Sequence, residues 1–174
     1  MRETHFQQEW HKSWVRHHPS AHMIKIPDMP RTSDTRFNPV KPYDFYCFDG
    51  GVFFAMELKL QTHFGVFPFR AVTEGQLRNL LSVETNSGIS LVVINYRIAK
   101  ASKKAKKDWG IDDGFNVSYV MKGSTFDGFD RNMNSKNIPV DVLFHDPGIL
   151  CLKWLPANEV WDMEPLFSAV RKGW

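Results

Sequence analysis

Pro42-Tyr43-Asp44-Phe45-Tyr46-Cys47-Phe48-Asp49-Gly50-Gly51-Val52-Phe53-Phe54-Ala55-Met56-Glu57-Leu58-Lys59-Leu60 reads as an apolar run, a tight turn and a second apolar run. Three charged side chains stand where a buried strand is normally apolar. β-Branched and aromatic residues suit both runs to strands. Side chains alternate faces along a strand, so Phe54, Met56, Leu58 and Leu60 share one apolar face. Phe53, Ala55, Glu57 and Lys59 share the other. An acid and a base on one face of such a strand are costly to desolvate without compensating partners.

Asp49-Gly50 is a strong hairpin signal, because the favoured two-residue turn needs positive φ at both central positions. A loop of those two residues pairs Phe48 with Gly51 and Asp44 with Ala55. Asp44 is then diagonal to Glu57, about 7–8 Å away on the same face. Two converging carboxylates repel, and a cation between them relieves the repulsion. A hard cation such as Mg²⁺ or Mn²⁺ takes oxygen ligands, here Asp44, Glu57 and the Leu58 carbonyl. Lys59 beside it suits orienting water or stabilising charge on a phosphate. The pattern predicts metal-assisted phosphodiester hydrolysis. The alternative is a plain Glu57–Lys59 salt bridge on a half-exposed strand, which leaves Asp44 unexplained.

Pro-x-Asp followed by Glu-x-Lys across a hairpin resembles the PD-(D/E)XK nuclease superfamily. Phe67-Pro68, Gln76-Leu77 on a helix and the apolar strand Gly88 to Asn95 extend the resemblance to Holliday junction resolvases of the RecU and archaeal types. It implies a restriction-endonuclease-like α/β fold, with a mixed central β-sheet flanked by α-helices. It also implies a homodimer acting on four-way DNA junctions, with two sites cutting two symmetric strands. Glu9 matches a first-helix glutamate that faces the metal in such enzymes. Its competing reading is an ordinary surface carboxylate. Gln76 matches a glutamine near the active site, although Gly75 stands where a histidine is usual, so a support role is the most it implies.

The remaining chain is read from its residues. At 174 residues one domain spanning 1–174 is expected, with enough chain to bury about 70% of its unfolded surface. No run is long enough to span a membrane, and Glu3, His5, Gln7 and Glu9 break any leader-like apolar core, so a cytoplasmic protein is expected. Cys47 and Cys151 lack zinc-ligand spacing and are read as reduced, buried thiols. The net charge of +3 decides little. Its distribution says more, because Arg97, Lys100, Lys103, Lys104, Lys106 and Lys107 cluster without an acid. They predict a basic loop over 97–110 contacting DNA phosphates, the alternative being a solvated loop.

Phe6, Trp10 and Trp14 recur at helical spacing and predict a helix over Glu3 to His17. Pro27 to Lys41 is polar and proline-rich. The resemblance makes it a short DNA-contacting stalk, with Arg31, Ser33, Arg36 and Lys41 toward phosphates. Phe37 is either a wedge against a base pair or a core side chain. Gln61 to Val72 is read as a loop whose aromatics form a small core of their own. Thr73-Glu74-Gly75-Gln76 fits a capping box opening a helix to Val83, which by itself accounts for Gln76. Strands are predicted over Ala21 to Ile26, Ile89 to Ile94, Asn116 to Met121 and Ile149 to Leu155. Gly123 to Asn137 reads as a flexible loop, and a closing helix is placed near Met163 to Arg171. The first helix and Trp154, Trp161 and Trp174 are the candidate dimer surface. Two other functions fit the same residues: a restriction, repair or phage nuclease acting on duplex or flapped DNA, and a non-catalytic DNA-binding module of the same fold.

Overall fold

The hairpin turn falls at Gly50-Gly51 in a computed structural model that describes residues 3–27 and 41–174. Both glycines have positive φ, +56° and +82°, so the second glycine displaces Asp49 from the turn. Strand β2 (Phe45–Asp49) therefore pairs with β3 (Val52–Gln61) through Asp49–Val52 at the turn. Tyr46, not Asp44, lies opposite Ala55, which corrects the expected register. Asp49 stays in the strand because its carboxylate is held there. Trp14 Nε1 donates to Asp49 Oδ2 at 3.0 Å, and His18 Nδ1 lies 2.7 Å from the same oxygen. The pairing moves by two residues, an even number, so Asp44 keeps its face and comes closer to Glu57.

Among the described residues seven strands form one mixed sheet in the order β1-β2-β3-β5-β6-β8-β9. The others are β1 (His22–Lys25), β5 (Ile89–Ile98), β6 (Phe115–Lys122), β8 (Leu150–Leu155) and β9 (Val160–Trp161). Only the β3–β5 neighbours run parallel, and a parallel pair needs a crossover. That crossover carries helix α2 (Glu74–Thr85). It also carries a short strand β4 (Phe67–Pro68) and one 3-10 turn (Phe69–Ala71), where the sequence predicted only loop. β4 pairs with β7 (Asn137–Ile138). Phe67 and Phe69 enter the main core rather than a separate one.

Two apolar layers sandwich the sheet, as alternation along β3 requires. Phe54, Met56 and Leu58 face helix α1 (Glu3–His17), whose Phe6, Trp10 and Trp14 are fully buried against them. Leu166 and Phe167 of helix α6 (Glu164–Arg171) complete that layer. Ala55, Val92, Ile94 and Tyr96 face the other way, against Leu77 and Leu80 of α2. Trp161 is also fully buried, so it and the α1 stripe serve this core and not an exposed dimer surface. Cys47 is buried as expected, but Cys151 is exposed.

Two stretches predicted as loops are helical. The lysine-rich run forms α3 (Lys103–Trp109), where Ser102 Oγ accepts from the Ala105 N–H at 3.1 Å and Gly110 closes the helix at φ +63°. Ala105 and the partly buried Trp109 anchor it, and the lysines lie outside. The Gly- and Asp-rich stretch forms α4 (Gly123–Asn132), which seats Phe126 and Phe129 against the core. The Gly123 N–H donates to Ser90 Oγ, and the Ser124 N–H to Glu84 Oε1. Composition argued against this helix, and tertiary anchoring outweighs it. Helix α5 (Val140–His145) packs Leu143 on the same layer.

Gly128 lies mid-α4 with open space where a Cβ would be. Gly128→Ala should therefore stabilise the protein by about 0.5–1 kcal/mol, read as a raised urea midpoint. No gain would mean that the stretch is not helical in solution.

Candidate active site

Glu57 stands midway along β3, on the α2 side of the sheet, with no exposed surface. Strand alternation put it there, and packing of α2 over the sheet closes it in. Its Oε1 accepts from Lys59 Nζ at 2.6 Å and from Gln76 Nε2 at 2.7 Å. Burial pushes its carboxyl up to about 7, and the neighbouring Asp44 charge adds to the rise. Lys59, by charge and hydrogen bond, and then Lys41 pull the other way.

Asp44, 4% exposed, precedes β2 and is pinned through its backbone and its carboxylate. Its N–H donates to the Met56 carbonyl at 2.9 Å, and its own carbonyl accepts from the Ile26 N–H at 2.8 Å. Oδ2 accepts from the Leu58 N–H at 2.9 Å, and Oδ1 accepts from Lys41 Nζ at 2.8 Å. The carboxylate thus takes the place of a strand partner beside Glu57. Asp44, Glu57, Leu58 and Lys59 come together as the sequence predicted, through a different register.

Gln76 bonds in two directions with one amide. Its Oε1 accepts from the Thr73 N–H and Oγ, at 3.0 and 3.1 Å, which forms the capping box at the start of α2. Its Nε2 is left to hold Glu57. Gln76→Glu separates the two roles. The cap should survive, while a second carboxylate raises the Glu57 pKa further. The titration profile of Glu57 should then move to higher pH with the melting temperature changed by only a few degrees. An unmoved profile would leave Gln76 a cap and nothing more.

Glu9 is elsewhere. It lies on α1, on the opposite layer, where Arg97 Nη1 donates to Glu9 Oε1 at 3.1 Å and Arg97 Nη2 donates to Oε2. His5 Nε2 lies 3.0 Å from Glu9 Oε1. No described contact joins Glu9 to Asp44 or Glu57. Arg97 belongs to β5, not to a basic loop, and its guanidinium also lies over Trp154, 5.8 Å from the ring. The phosphate contact predicted for Arg97 is corrected accordingly: alternation turns this side chain toward α1, where Glu9 meets it. Lys100, Lys103 and Lys104 are exposed at and on α3. Arg31, Ser33, Arg36 and Phe37 lie outside the described residues.

Sequence reasoning missed the contact of Lys41 with Asp44, having placed Lys41 on DNA. The only local signal was a basic residue three positions before the acid. It also missed Arg70 and Lys136, exposed basic residues lining a cleft of about 610 Å³ at the start of α2.

The site suits a hard divalent cation. Glu57 Oε2 is buried and has no hydrogen-bond partner among the described residues, which leaves an oxygen able to accept a cation. No group of three or more His, Cys, Asp or Glu gathers among the described residues, so the protein offers two carboxylates. That number is usual for Mg²⁺, which fills its shell with water and substrate phosphate.

A mixed sheet between helical layers, with an Asp/Glu/Lys cluster on its central hairpin, defines the class of structure. No family model matches the chain. No curated protein matches it. Among solved structures it is similar to Hjc, a Holliday junction resolvase from the archaeal hyperthermophile Archaeoglobus fulgidus. The identity is 11% and the TM-score 0.46, over 80% of this chain and 90% of that one. Among the described residues, no helix is long and apolar enough to cross a membrane.

Proposed function

We propose that this protein is a Mg²⁺-dependent endodeoxyribonuclease that cuts branched DNA, a Holliday junction resolvase whose site is Asp44, Glu57 and Lys59. The observation that carries the reading is the pair of buried carboxylates, one with an unpartnered oxygen, beside a lysine ammonium at 2.6 Å. Bound there, the metal would lower the pKa of a coordinated water and neutralise phosphate charge. Asp44 and Glu57 would hold the metal, with the Leu58 carbonyl as a further oxygen donor. Lys59 orients the attacking water and donates toward the oxygen that gains charge. Gln76 keeps Glu57 in one rotamer. Lys100, Lys103 and Lys104 contact backbone phosphates, which positions the duplex arms without reading sequence. Arg31, Ser33, Arg36 and Phe37, by their chemistry, are assigned to contacts with the branched DNA. A homodimer places two sites on the two symmetric strands of a junction.

The test compares a labelled four-way junction with a duplex of the same sequence in Mg²⁺. Paired symmetric cuts in the junction alone support the resolvase. Equal cutting of the duplex retains the nuclease and rejects the branched substrate. Firm, salt-sensitive binding without turnover in any divalent metal rejects the enzyme.

A further inference from the structure

We propose that the Lys41 ammonium is a resident counter-cation of the site, which a divalent metal ion must displace from Asp44 in order to bind. The inference rests on the metal-site reading above and names the competitor built into that site.

Lys41 Nζ lies 2.8 Å from Asp44 Oδ1, and the two side chains are only 15% and 6% exposed. This is a partly dehydrated pair rather than a surface contact, and water screens it weakly. The charge of Lys41 also reaches Glu57, whose carboxyl it draws downward. Two carboxyl groups thus face two ammoniums, Lys41 on Asp44 and Lys59 on Glu57, and no net negative charge is left to attract a dication. A dication added to that cluster meets like charge on both sides.

The two lysines differ in how they are held. Lys59 is on the same strand as Glu57 and the same face, so its place beside that carboxylate is set by β3 itself. Lys41 lies in chain without regular structure, separated from Asp44 by Pro42 and Tyr43. It is held through its side chain and not by strand geometry, so its movement leaves the hydrogen bonds of β2 and β3 in place. When it leaves, Asp44 Oδ1 becomes a free acceptor next to the unpartnered Glu57 Oε2. A phosphodiester carries the negative charge that would receive the released ammonium. Contact with Asp44 and contact with phosphate are then two successive positions of one side chain, and metal affinity stays low until phosphate is present.

The experiment is calorimetric titration of the full chain with MnCl₂ in the absence of DNA, comparing wild type with Lys41→Met, Lys41→Arg and Asp44→Asn. Lys41→Met should bind Mn²⁺ about tenfold more tightly, because one like charge is gone. Lys41→Arg keeps the charge and should match wild type. Asp44→Asn should weaken binding. Lys41→Gln repeats the first arm should Lys41→Met not fold. Unchanged affinity in the neutral variants, with Asp44→Asn still weakened, overturns the counter-cation and leaves the metal site intact. A gain in Lys41→Arg equal to that in Lys41→Met also overturns it, since charge is then not the cause. Binding indifferent to Asp44→Asn, or absent from every chain, overturns the metal-site reading itself.

Discussion

Glu57→Gln is expected to abolish DNA cleavage, by on the order of 10³-fold, while junction binding is retained. The amide oxygen still accepts from Lys59 and Gln76, so the local packing survives. The charge that would hold a metal does not. The same substitution has a second readout that needs no substrate. In the folded protein burial and Asp44 raise the Glu57 carboxyl from the ordinary 4.5 to about 7. An acid raised on folding opposes folding as pH increases. Near pH 4 both states are protonated and nothing is lost. Between 4.5 and about 7 the unfolded chain ionises first, and above about 7 the full penalty, on the order of 3 kcal/mol, is present. Urea unfolding at pH 4.5 and pH 8, without metal, should show wild type losing stability relative to Glu57→Gln at the higher pH. Mg²⁺ in large excess at pH 8 should raise the melting temperature of wild type and not of the variant, even with the weak affinity expected in the absence of DNA. A stability difference independent of pH would mean that Glu57 is not held as a raised acid, and retained cleavage would remove it from the site.

Trp14→Ala should cost on the order of 4 kcal/mol. Trp14 is fully buried between Phe54 and Phe167, with both ring centroids at 5.1 Å in edge-to-face geometry. Its Nε1 also holds Asp49, the residue that keeps the hairpin turn at Gly50-Gly51. Truncation removes one of the two tryptophans linking α1 to β3 and leaves the Asp49 carboxylate to His18. Domains of this size are stable by roughly 5–15 kcal/mol, so the variant should unfold at a much lower guanidinium midpoint and be marginal at 37 °C. Trp14→Phe keeps an aromatic ring without the N–H donor and should lose about 1–2 kcal/mol. A loss below about 1 kcal/mol in Trp14→Ala would show that α1 is not docked on the hairpin as described.

Both predictions depend on features that were legible to different degrees. The face shared by Glu57 and Lys59 follows from alternation along one strand. The α1 stripe follows from the spacing of Phe6, Trp10 and Trp14. The capping box follows from Thr73 and Gln76 three positions apart. Each of these lies within one element, where geometry fixes what neighbours what, and the structure has all three. The hairpin was legible as a hairpin, but its register was not, because Asp49-Gly50 and Gly50-Gly51 are both acceptable turns taken alone. Trp14 and His18, distant in sequence, decide between them by binding Asp49.

The remaining departures have the same origin. Helix α4 reads as loop from Gly123, Gly128, Asp127 and Asp130, yet the core accepts Phe126 and Phe129, and Ser90 and Glu84 bind its first N–H groups. Glu9 matched a family position, but Arg97, 88 residues away, meets it on the α1 layer. The sequence by itself determined the elements that repeat locally, the side of each strand on which a residue lies, and the identity of the Asp44, Glu57 and Lys59 cluster. The tertiary structure alone decided which of several acceptable partners each charged group takes. Periodicity and capping are set by neighbours three or four positions apart. Buried ion pairs are chosen by whichever opposite charge the packed layers bring within reach.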